Sequence, residues 1–254
     1  MPAVTDSVLT LDGVWKGFDR GDDRLRVLTD VSLTVAPGQV VAVVGNRDQG
    51  KTTLLRVASG TLPADQGSVR VGDLELTGLS DAQLARVLRT EIGLATRAGP
   101  ELRVRVRDYV GLPLAVGRWL RWRERRLMVA EVLSALDLTG TADLPWRELS
   151  DWQRVLVELA QATVARPRLL LLDDVIGGLG LGKKQAATEI VRGFADDLGC
   201  GVLMAVSDHA AALPSDCVWQ LDGGRLKLMA DLTQSRVVPL HRHLEEGRAW
   251  FGAS

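Results

Sequence analysis

One segment near the start of the chain constrains its fold more than any other. The apolar residues 40–44 run directly into a Gly-x4-Gly-Lys-Thr pattern, and a helix-like stretch follows it. The pattern and the residue after it consist of Gly45, Asn46, Arg47, Asp48, Gln49, Gly50, Lys51, Thr52 and Thr53. A strand, this loop and a helix in that order predict a phosphate-binding loop, because glycine backbone N–H groups and the helix N-terminus can surround phosphates. In such a loop the Lys51 ammonium reaches the β- and γ-phosphates and the Thr52 hydroxyl ligates Mg²⁺, whereas a plain glycine turn would give Lys51 no role.

Composition limits the remaining choices. At 254 residues and 46% hydrophobic, the chain can form one large domain or a domain with a subdomain. Its formal net charge of -1 argues against nucleic acid as the main partner. The N-terminal residues lack a secretion signal pattern, the two cysteines form no metal or disulfide pattern, and no apolar run reaches the roughly 18 residues of a membrane span. We therefore expect a cytoplasmic protein that meets a membrane only through other chains.

Hydrophobic patterning predicts the elements around the loop. Residues 7–35 alternate in part, which suggests antiparallel strands, and residues 68–76 indicate a hairpin with its turn at Gly72 and Asp73. Residues 168–174 and 201–207 are typical of parallel strands covered on both faces. Between about 110 and 138 the spacing is helical. Its predicted apolar side consists of Leu127, Val129, Val132, Leu133, Leu136 and Leu138.

Further motifs follow in a characteristic order. Residues 149–153, Leu-Ser-Asp-Trp-Gln, precede a helical stretch, and residues 169–173 end an apolar run at Asp173. With the loop at 45–52 as Walker A, these resemble the signature and Walker B motifs of the ATP-binding subunit of ABC transporters, over nearly the whole chain. The resemblance implies an α/β P-loop NTPase fold with a mostly parallel core sheet, an N-terminal antiparallel β subdomain and an inserted helical subdomain. Within one domain, 1–254, the β layer and Walker A core would span about 7–97, the helical subdomain about 98–150, and the Walker B core and C-terminal part about 151–254.

This resemblance also implies ligands and partners. Two such domains would hold two ATP molecules between them, each bound by one chain's Walker motifs and the other chain's signature. Asp173 would hold Mg²⁺ through a bound water. Phe18 stands where the family has an aromatic residue that stacks on adenine, although a single Phe can equally belong to the core. Residues 109–114 are most similar to the lipoprotein-releasing, macrolide-export and division-associated branch.

Three positions tied to hydrolysis depart from the family pattern. Asp174 replaces the glutamate that orients the attacking water and is one methylene shorter, and a misplacement of about 1 Å can cost on the order of 100-fold in rate. Arg97 replaces the glutamine of the Gln loop, and a guanidinium cannot ligate Mg²⁺. The switch histidine falls at Asp208, whose charge would repel a γ-phosphate, while His209 is expected at the surface. We therefore expect slow hydrolysis.

The signature motif is altered as well. The family's Leu-Ser-Gly-Gly-Gln is here Leu149, Ser150, Asp151, Trp152 and Gln153. Ser150 and Gln153 predict a capping box that starts the next helix. Asp151 puts a charge where the other chain's γ-phosphate would lie, and Trp152 is expected to add bulk on the same face. Gly180 replaces the aspartate of the loop after Walker B, and Asp48 replaces a glycine of the phosphate loop.

Residues 118–126 interleave arginine and tryptophan, as Arg-Trp-Leu-Arg-Trp-Arg-Glu-Arg-Arg. Such a segment is typical of a solvated helix face anchored by its two Trp side chains. A docking face for a membrane subunit with its lipid headgroups ranks second, and a nucleic-acid surface ranks last.

Two functional hypotheses follow from the motifs. In the first, the chain is an ABC transporter subunit that binds ATP and Mg²⁺ but hydrolyses poorly, at the cytoplasmic face of the membrane. It would pair with transmembrane permease subunits and with a second, better-equipped ABC ATPase chain, so that a heterodimer is favoured over a homodimer. In the second, it is a non-transport protein whose ATP-gated interaction signals to a membrane partner.

Overall fold

The computed structural model describes residues 7–21, 23–100, 104–115, 121–212 and 215–233. Strands and helices account for most of these residues. The strands are β1 (Leu9–Arg20), β2 (Asp23–Val35), β3 (Val40–Val44), β4 (Gln66–Val71), β5 (Leu74–Glu75), β6 (Ile92–Thr96), β7 (Leu169–Asp173), β8 (Gly201–Val206), β9 (Cys217–Asp222) and β10 (Arg225–Asp231). The α-helices are α1 (Lys51–Ala58), α2 (Asp81–Thr90), α3 (Val106–Val110), α4 (Leu112–Ala115), α5 (Trp122–Ala135), α6 (Asp151–Thr163) and α7 (Leu181–Leu198). Short 3₁₀ turns occupy Thr139–Thr141, Trp146–Glu148 and His209–Ala212.

A six-stranded sheet of order β10-β9-β3-β8-β7-β6 lies at the centre of the fold. Its strands from β9 to β6 run parallel, and β10 pairs antiparallel at one edge. Every residue of β3 and β8 is buried, because both faces of the sheet are covered, and both strands are accordingly apolar throughout. The parallel register pairs Val44 with Val206 and Asp173 with Ala205. The carboxyl ends of β3, β7 and β8 therefore meet at one edge, beside the predicted phosphate loop.

The N-terminal strands form a separate antiparallel sheet of order β2-β1-β4-β5. Burial alternates along the second half of β2, where Val31, Leu33 and Val35 face the interior. Strands β4 and β5 pair Val71 with Leu74 across the predicted turn, and Gly72 has a φ of 55°, which glycine adopts without strain. The predicted antiparallel layer and hairpin are thus confirmed.

Two clusters of buried apolar side chains hold the layers together. The first lies between the two sheets and includes helix α1, and β3 contributes Val41 and Val43 to it. The second lies on the other face, where β3 contributes Val40 and Val44 and where α6, α7 and the helical region pack. Alternate residues of one strand point to opposite faces, so β3 joins both cores. The helical region shares the second core with the sheet.

The region between β6 and α6 is helical, but it is divided into several helices. Val129, Val132 and Leu133 of α5 are buried as predicted. Leu127 is 62% exposed, and its place on the apolar side was wrongly predicted. At about 100° per residue, Leu127 lies about 200° from Val129 and so projects from the opposite side of α5. Of the tryptophan and arginine segment, residues 118–120 lie outside the described residues.

Helix α7 covers the second core with one apolar face. Its buried residues include Ala187, Val191, Phe194 and Ala195, which recur at helical spacing. The helix stops at Gly199, whose φ of 63° is the left-handed conformation common at helix ends. Neither α7 nor any other helix in the described ranges is long and apolar enough to cross a membrane.

Candidate nucleotide-binding site

The loop after β3 needs glycine at two positions for steric reasons. A Cβ at Gly45 would lie 2.9 Å from the carbonyl oxygen of Leu221 in β9. Gly50 has a φ of 96°, and a Cβ there would lie 2.6 Å from Cγ1 of Val27 in β2. The loop is therefore packed between β9 and β2, and the glycine spacing of the sequence is what this close packing requires.

Asp48 and Gln49 shape the middle of the loop. Asp48 has a φ of 63°, a conformation that favours glycine but that aspartate tolerates better than most residues. The Asn46 N–H donates to Oε1 of Gln49 at 2.7 Å, and Nε2 of Gln49 donates to Asp222 at 3.0 Å. The Gln49 side chain thus ties the loop to the end of β9, while Asn46, Arg47 and Asp48 are exposed. A direct contact of these residues with a nucleotide stays a prediction.

Lys51 begins helix α1 and turns back into the loop. Its Nζ donates to the carbonyl oxygens of Gly45 and Asn46, both at 2.7 Å. Burial lowers the pKa of this ammonium group, and the carboxylates of Asp174, Asp173 and Asp48 oppose that shift. A buried cation surrounded by carbonyl oxygens and facing the carboxyl ends of the strands is placed to bind a phosphate chain.

Thr52 and Asp173 meet beside this lysine, as predicted for a magnesium site. The Thr52 hydroxyl donates to Oδ1 of Asp173 at 3.2 Å, which brings two hard oxygen ligands together. Burial raises the pKa of the Asp173 carboxyl, while the Thr52 hydrogen bond opposes the rise. Mg²⁺ binds through one or two protein oxygens and takes its other ligands from phosphates and water. The pair therefore fits Mg²⁺, and Thr53 follows on the same helix.

Asp174 follows β7 in an unusual backbone conformation. Its φ is 49°, and its N–H donates to the carbonyl oxygen of Ala205 at 3.0 Å. A Cβ at Gly177 would lie 2.5 Å from the Asp174 carboxylate, so the loop that follows β7 passes directly under this side chain. The short carboxylate is held against its own loop, at the position where the family pattern has the longer glutamate.

Arg97, Asp174 and Asp208 line one cavity of about 460 Å³. The Arg97 guanidinium lies against the loop after β7, and a Cβ at Gly178 would be 2.6 Å from its Nη2. Asp208 forms an ion pair with Lys184 of α7, with Nζ and Oδ2 2.5 Å apart. Lys184 was not predicted as a site residue, because a single lysine in the first turns of a helix belongs to no sequence motif. His209 is exposed, as predicted.

The altered signature starts helix α6 as predicted. The Ser150 N–H donates to Oε1 of Gln153 at 2.9 Å, and the Gln153 N–H donates to Oγ of Ser150 at 3.3 Å, while Leu149 is buried. The Asp151 side chain is 90% exposed. The prediction that Asp151 and Trp152 share one face was wrong, because Trp152 is half-buried against the second core. Neighbouring helix positions point about 100° apart, which separates the two.

Two aromatic side chains singled out in the sequence are exposed. The Phe18 ring is 40% exposed on β1, with Nζ of Lys16 5.8 Å from its centroid. This exposure favours a base-stacking platform over a core position, although adenine binding stays a prediction. Trp122 is 65% exposed at the start of α5, and the Arg126 guanidinium carbon lies 4.6 Å from its ring centroid. In residues 121–126 the tryptophan and arginine segment is thus a solvated helix face, as predicted, but the prediction that Trp122 anchors it was wrong, because this side chain projects into solvent beside Arg126. Trp119 lies outside the described residues.

A buried carboxylate beside the site also escaped sequence reasoning. Glu158 of α6 is 3% exposed, and its oxygens accept from the Tyr109 hydroxyl at 2.7 Å and from the Thr96 N–H at 3.3 Å. Burial raises the pKa of Glu158. A single glutamate among the apolar residues 155–160 was the available signal. Glu158 connects α6 to α3 and to the end of β6, one residue before Arg97.

The amino-acid sequence matches a family model described as "ABC transporter" over residues 28–177. It is 32% identical to the lipoprotein-releasing system ATP-binding protein LolD of Bordetella avium, over 87% of this chain and 96% of that protein. It is 35% identical to the aliphatic sulfonates import ATP-binding protein SsuB of Albidiferax ferrireducens, over 89% of this chain and 74% of that protein. It is 33% identical to the methionine import ATP-binding protein MetN 1 of Rhodococcus jostii, and it spans 65% of that protein's length.

Solved structures agree on the fold. The chain is similar to MJ0796, a bacterial ABC transporter cassette with a dimeric structure, with a TM-score of 0.81 and 22% identity over 88% of this chain and 98% of that one. The predicted α/β class, with a mostly parallel sheet and an antiparallel layer, is confirmed. The relatives include a lipoprotein-releasing protein and two import proteins, so they do not single out the branch that residues 109–114 resemble.

Proposed function

Because this chain belongs to the ABC transporter family as an ATP-binding cassette, we propose that it binds ATP with Mg²⁺ and hydrolyses the nucleotide slowly. The observation that carries the proposal is the meeting of Lys51, Thr52 and Asp173 at the carboxyl edge of the central sheet. The Thr52 hydroxyl lies 3.2 Å from Oδ1 of Asp173, and Lys51 directly precedes Thr52 at the start of α1. The groups that would bind the phosphates and Mg²⁺ therefore lie together at this edge of the sheet.

The residues divide into roles for binding. Lys51 and the loop N–H groups would hold the phosphates, Thr52 and Asp173 would hold Mg²⁺, and Phe18 would stack on the base. When bound, Mg²⁺ neutralises phosphate charge. The two oxygens of Thr52 and Asp173 are hard ligands of the type that Mg²⁺ prefers.

Slow hydrolysis is supported by the position of Asp174. Its carboxylate is packed over Gly177, and its backbone has a φ of 49°. A general base has to lie within hydrogen-bond reach of the attacking water, and aspartate is one methylene shorter than the family's glutamate. Arg97 cannot ligate Mg²⁺, and Asp208 is engaged by Lys184 rather than offering an imidazole.

The exposed Asp151 supports pairing with a different ATPase chain. In the family's arrangement this carboxylate would face the phosphate bound by the other chain, and like charges repel. Its ion pair with Arg154, at 3.5 Å, is exposed to solvent and offsets this charge only in part. Two copies of this chain would place that repulsion at both sites. We propose instead a heterodimer with a second ABC ATPase chain, attached to transmembrane permease subunits and peripheral to the cytoplasmic face of the membrane.

Binding and turnover of ATP by the purified chain test the first part. We expect ATP-Mg to bind and Lys51→Ala to weaken binding by about 10- to 100-fold, the value of a charge-assisted hydrogen bond to phosphate. Lys183→Ala, at an exposed position on α7, is the matched control and should leave binding unchanged. Turnover at or above about 1 s⁻¹, within the usual enzyme range, would contradict slow hydrolysis.

Light scattering and co-purification test the pairing. The chain alone should stay monomeric with saturating ATP-Mg, and it should co-purify from membranes with a permease and a second ATPase that has a Leu-Ser-Gly-Gly-Gln signature. An ATP-induced homodimer would contradict the heterodimer. Co-purification with a membrane protein that has few spans, and with no permease, would instead favour the signalling hypothesis.

A further inference from the structure

A groove of about 490 Å³ lies on the antiparallel sheet, near the hairpin that joins β1 to β2. Its walls come from these two strands and from the start of β4. Its charged lining consists of Lys16, Arg24, Arg26 and Asp65, and Trp15 is its aromatic residue. Three cationic side chains thus face a single carboxylate, which leaves the lining with an excess of positive charge. We call it the β1–β2 groove.

Asp65 fixes two of the three cations in place. Its Oδ1 accepts a hydrogen bond from Nζ of Lys16 at 2.8 Å, and its Oδ2 lies 2.5 Å from Nη2 of Arg24. The hydrogen bond from Lys16 is the main cause that lowers the pKa of Asp65 to about 2, so this carboxylate keeps its charge even in mild acid. Lys16 and Arg24 therefore form a wall of defined geometry.

Gly17 leaves the room that Arg24 needs to reach Asp65. A Cβ at Gly17 would lie 3.0 Å from Nε of Arg24 and 3.1 Å from the carbonyl oxygen of Leu25. The Gly17 N–H donates to the same Asp65 oxygen at 2.9 Å. A glycine in β1 thus lets the Arg24 side chain lie across the strand and close one end of the groove.

Arg26 supplies positive charge that no carboxylate of the described residues neutralises. It forms no ion pair within the described part of the chain, and its side chain is exposed. Its guanidinium carbon lies 5.9 Å from the centroid of the Trp15 ring. A guanidinium beside an aromatic ring offers donors for an oxyanion next to a flat apolar surface.

Arg26 and Phe18 lie on opposite faces of the sheet. Val27 of β2 packs against the phosphate loop, where a Cβ at Gly50 would lie 2.6 Å from its Cγ1. Because side chains alternate along a strand, Leu25 shares the face of Val27 and Arg26 points to the other face. Leu25 pairs with Phe18, which places Phe18 on the face of Val27 as well. A nucleotide stacked on Phe18 would therefore leave Arg26 available to a second ligand.

We propose that the β1–β2 groove binds such a second ligand, a small aromatic anion. Arg26 holds its phosphate or carboxylate group, and its ring packs against Trp15. A guanidinium fork matches both oxyanions through paired N–H donors, so the two sources share one recognition chemistry. The volume of the groove lies within the range of small-molecule sites. The site goes beyond ATP binding, because it uses no residue assigned to the nucleotide.

Calorimetric titration of the full chain, saturated with ATP-Mg, tests the site with two probes, thymidine monophosphate and benzoate. We expect at least one to bind at a single site, and its uncharged counterpart, thymidine or benzamide, to bind about tenfold more weakly or less well still. Binding should weaken as salt rises, because Arg26 is exposed. Binding of thymidine monophosphate alone identifies a phosphate ester as the ligand, and binding of benzoate alone identifies a carboxylate.

Two variants locate the bound probe. Arg26→Met removes the charge and keeps the aliphatic stem, and it should weaken binding by about tenfold or more. Trp15→Leu removes the ring and should weaken binding by about fivefold or more. Arg225→Met, at an exposed position on β10 outside the groove, is the matched control and should leave the affinity unchanged. Thermal unfolding confirms that each variant is folded.

Three results would overturn the proposal. They are an unchanged affinity in Arg26→Met, no binding of either probe at millimolar concentration, and loss of binding in Lys51→Ala but not in Arg26→Met. The last result would place the probe in the phosphate loop. Binding of a probe in the groove by a chain that fails to bind ATP would contradict the proposed function alone and would support the second site.

Discussion

Single residues in the phosphate loop combine charge with tight packing. Lys51 is buried, its neighbours Asp173 and Asp174 carry opposite charge, and Asp48 adds a third carboxylate from within the loop. Asp48 is exposed, so its effect on an incoming anion is partly screened by solvent. Its left-handed φ of 63° explains why the position has aspartate, which adopts this conformation more readily than most residues other than glycine.

Asp48→Asn should strengthen ATP binding by about two- to fivefold at low salt. Asparagine keeps the left-handed conformation and the side-chain shape, and it removes a negative charge close to the phosphates. The gain should shrink as salt rises, because an exposed charge is screened. Titration calorimetry at two salt concentrations measures it. Asp73→Asn, an exposed turn residue of the β4–β5 hairpin, is the control, and an equal gain there would contradict a local effect.

Individual site residues could be predicted from the sequence where their spacing forms a motif. Gly45, Gly50, Lys51 and Thr52 follow a pattern with one structural solution, and Asp173 ends a recognisable strand. Lys184 could not be found in the same way, since its partner Asp208 is 24 residues away and meets it only after α7 packs beside β8. An ion pair between distant segments depends on topology, which local spacing does not encode.

At the scale of elements, the contact between β6 and α6 is set by one glycine. A Cβ at Gly93 would lie 2.1 Å from the carbonyl oxygen of Ala162 and 2.9 Å from Cγ of Pro167. Helix α6 can therefore approach the sheet only where the strand has no side chain. This contact positions the signature at the start of α6 relative to Arg97 just beyond β6.

Gly93→Ala should lower the free energy of unfolding by about 1–3 kcal/mol or more, because the added methyl group overlaps the backbone of α6. Chemical denaturation with urea measures the loss. Gly182→Ala is the matched control, since its added Cβ would meet no atom within 4 Å beyond its chain neighbours and the backbone of its own helix, and the position is helical. It should leave stability unchanged or raise it by up to about 1 kcal/mol. Similar losses in both variants would show that the β6–α6 contact is not the cause.

Element type was predictable, and the direction of individual side chains was less so. The capping box of Ser150 and Gln153 is local, and the structure confirms it. Leu127 and Trp152 were assigned to the wrong faces, because a helix of uncertain start and phase rotates each side chain by about 100° per residue. Burial patterns fix that phase only when the packing partner is known.

At the scale of the whole molecule, Glu158 connects the helical region to the sheet. Tyr109 of α3 and the backbone of Thr96 at the end of β6 both donate to this one buried carboxylate. Because burial raises the pKa of Glu158, the folded state favours the protonated form. Its contribution to stability is thus fully present below the unfolded value of about 4.3 and is lost as pH rises through the folded pKa.

Tyr109→Phe should destabilise the fold by about 1–3 kcal/mol near pH 7 and by less near pH 4, because it removes a donor to the ionised carboxylate. The Tyr109 hydrogen bond lowers the pKa of Glu158, so the variant should raise that pKa further and enlarge the loss as pH rises. Urea unfolding across this pH range measures the trend. In a Glu158→Gln background the effect of Tyr109→Phe should no longer vary with pH, and a pH-independent loss with Glu158 present would contradict the assignment.

The two bonds that Lys51 makes to its own loop affect how any measured ATP affinity is interpreted. Its ammonium donates to the carbonyl oxygens of Gly45 and Asn46. A phosphate chain that engages Lys51 competes with these internal acceptors for the same three protons. The observed affinity is then the difference between two sets of hydrogen bonds, and substitutions that loosen the loop carbonyls can tighten binding without any new contact to the ligand.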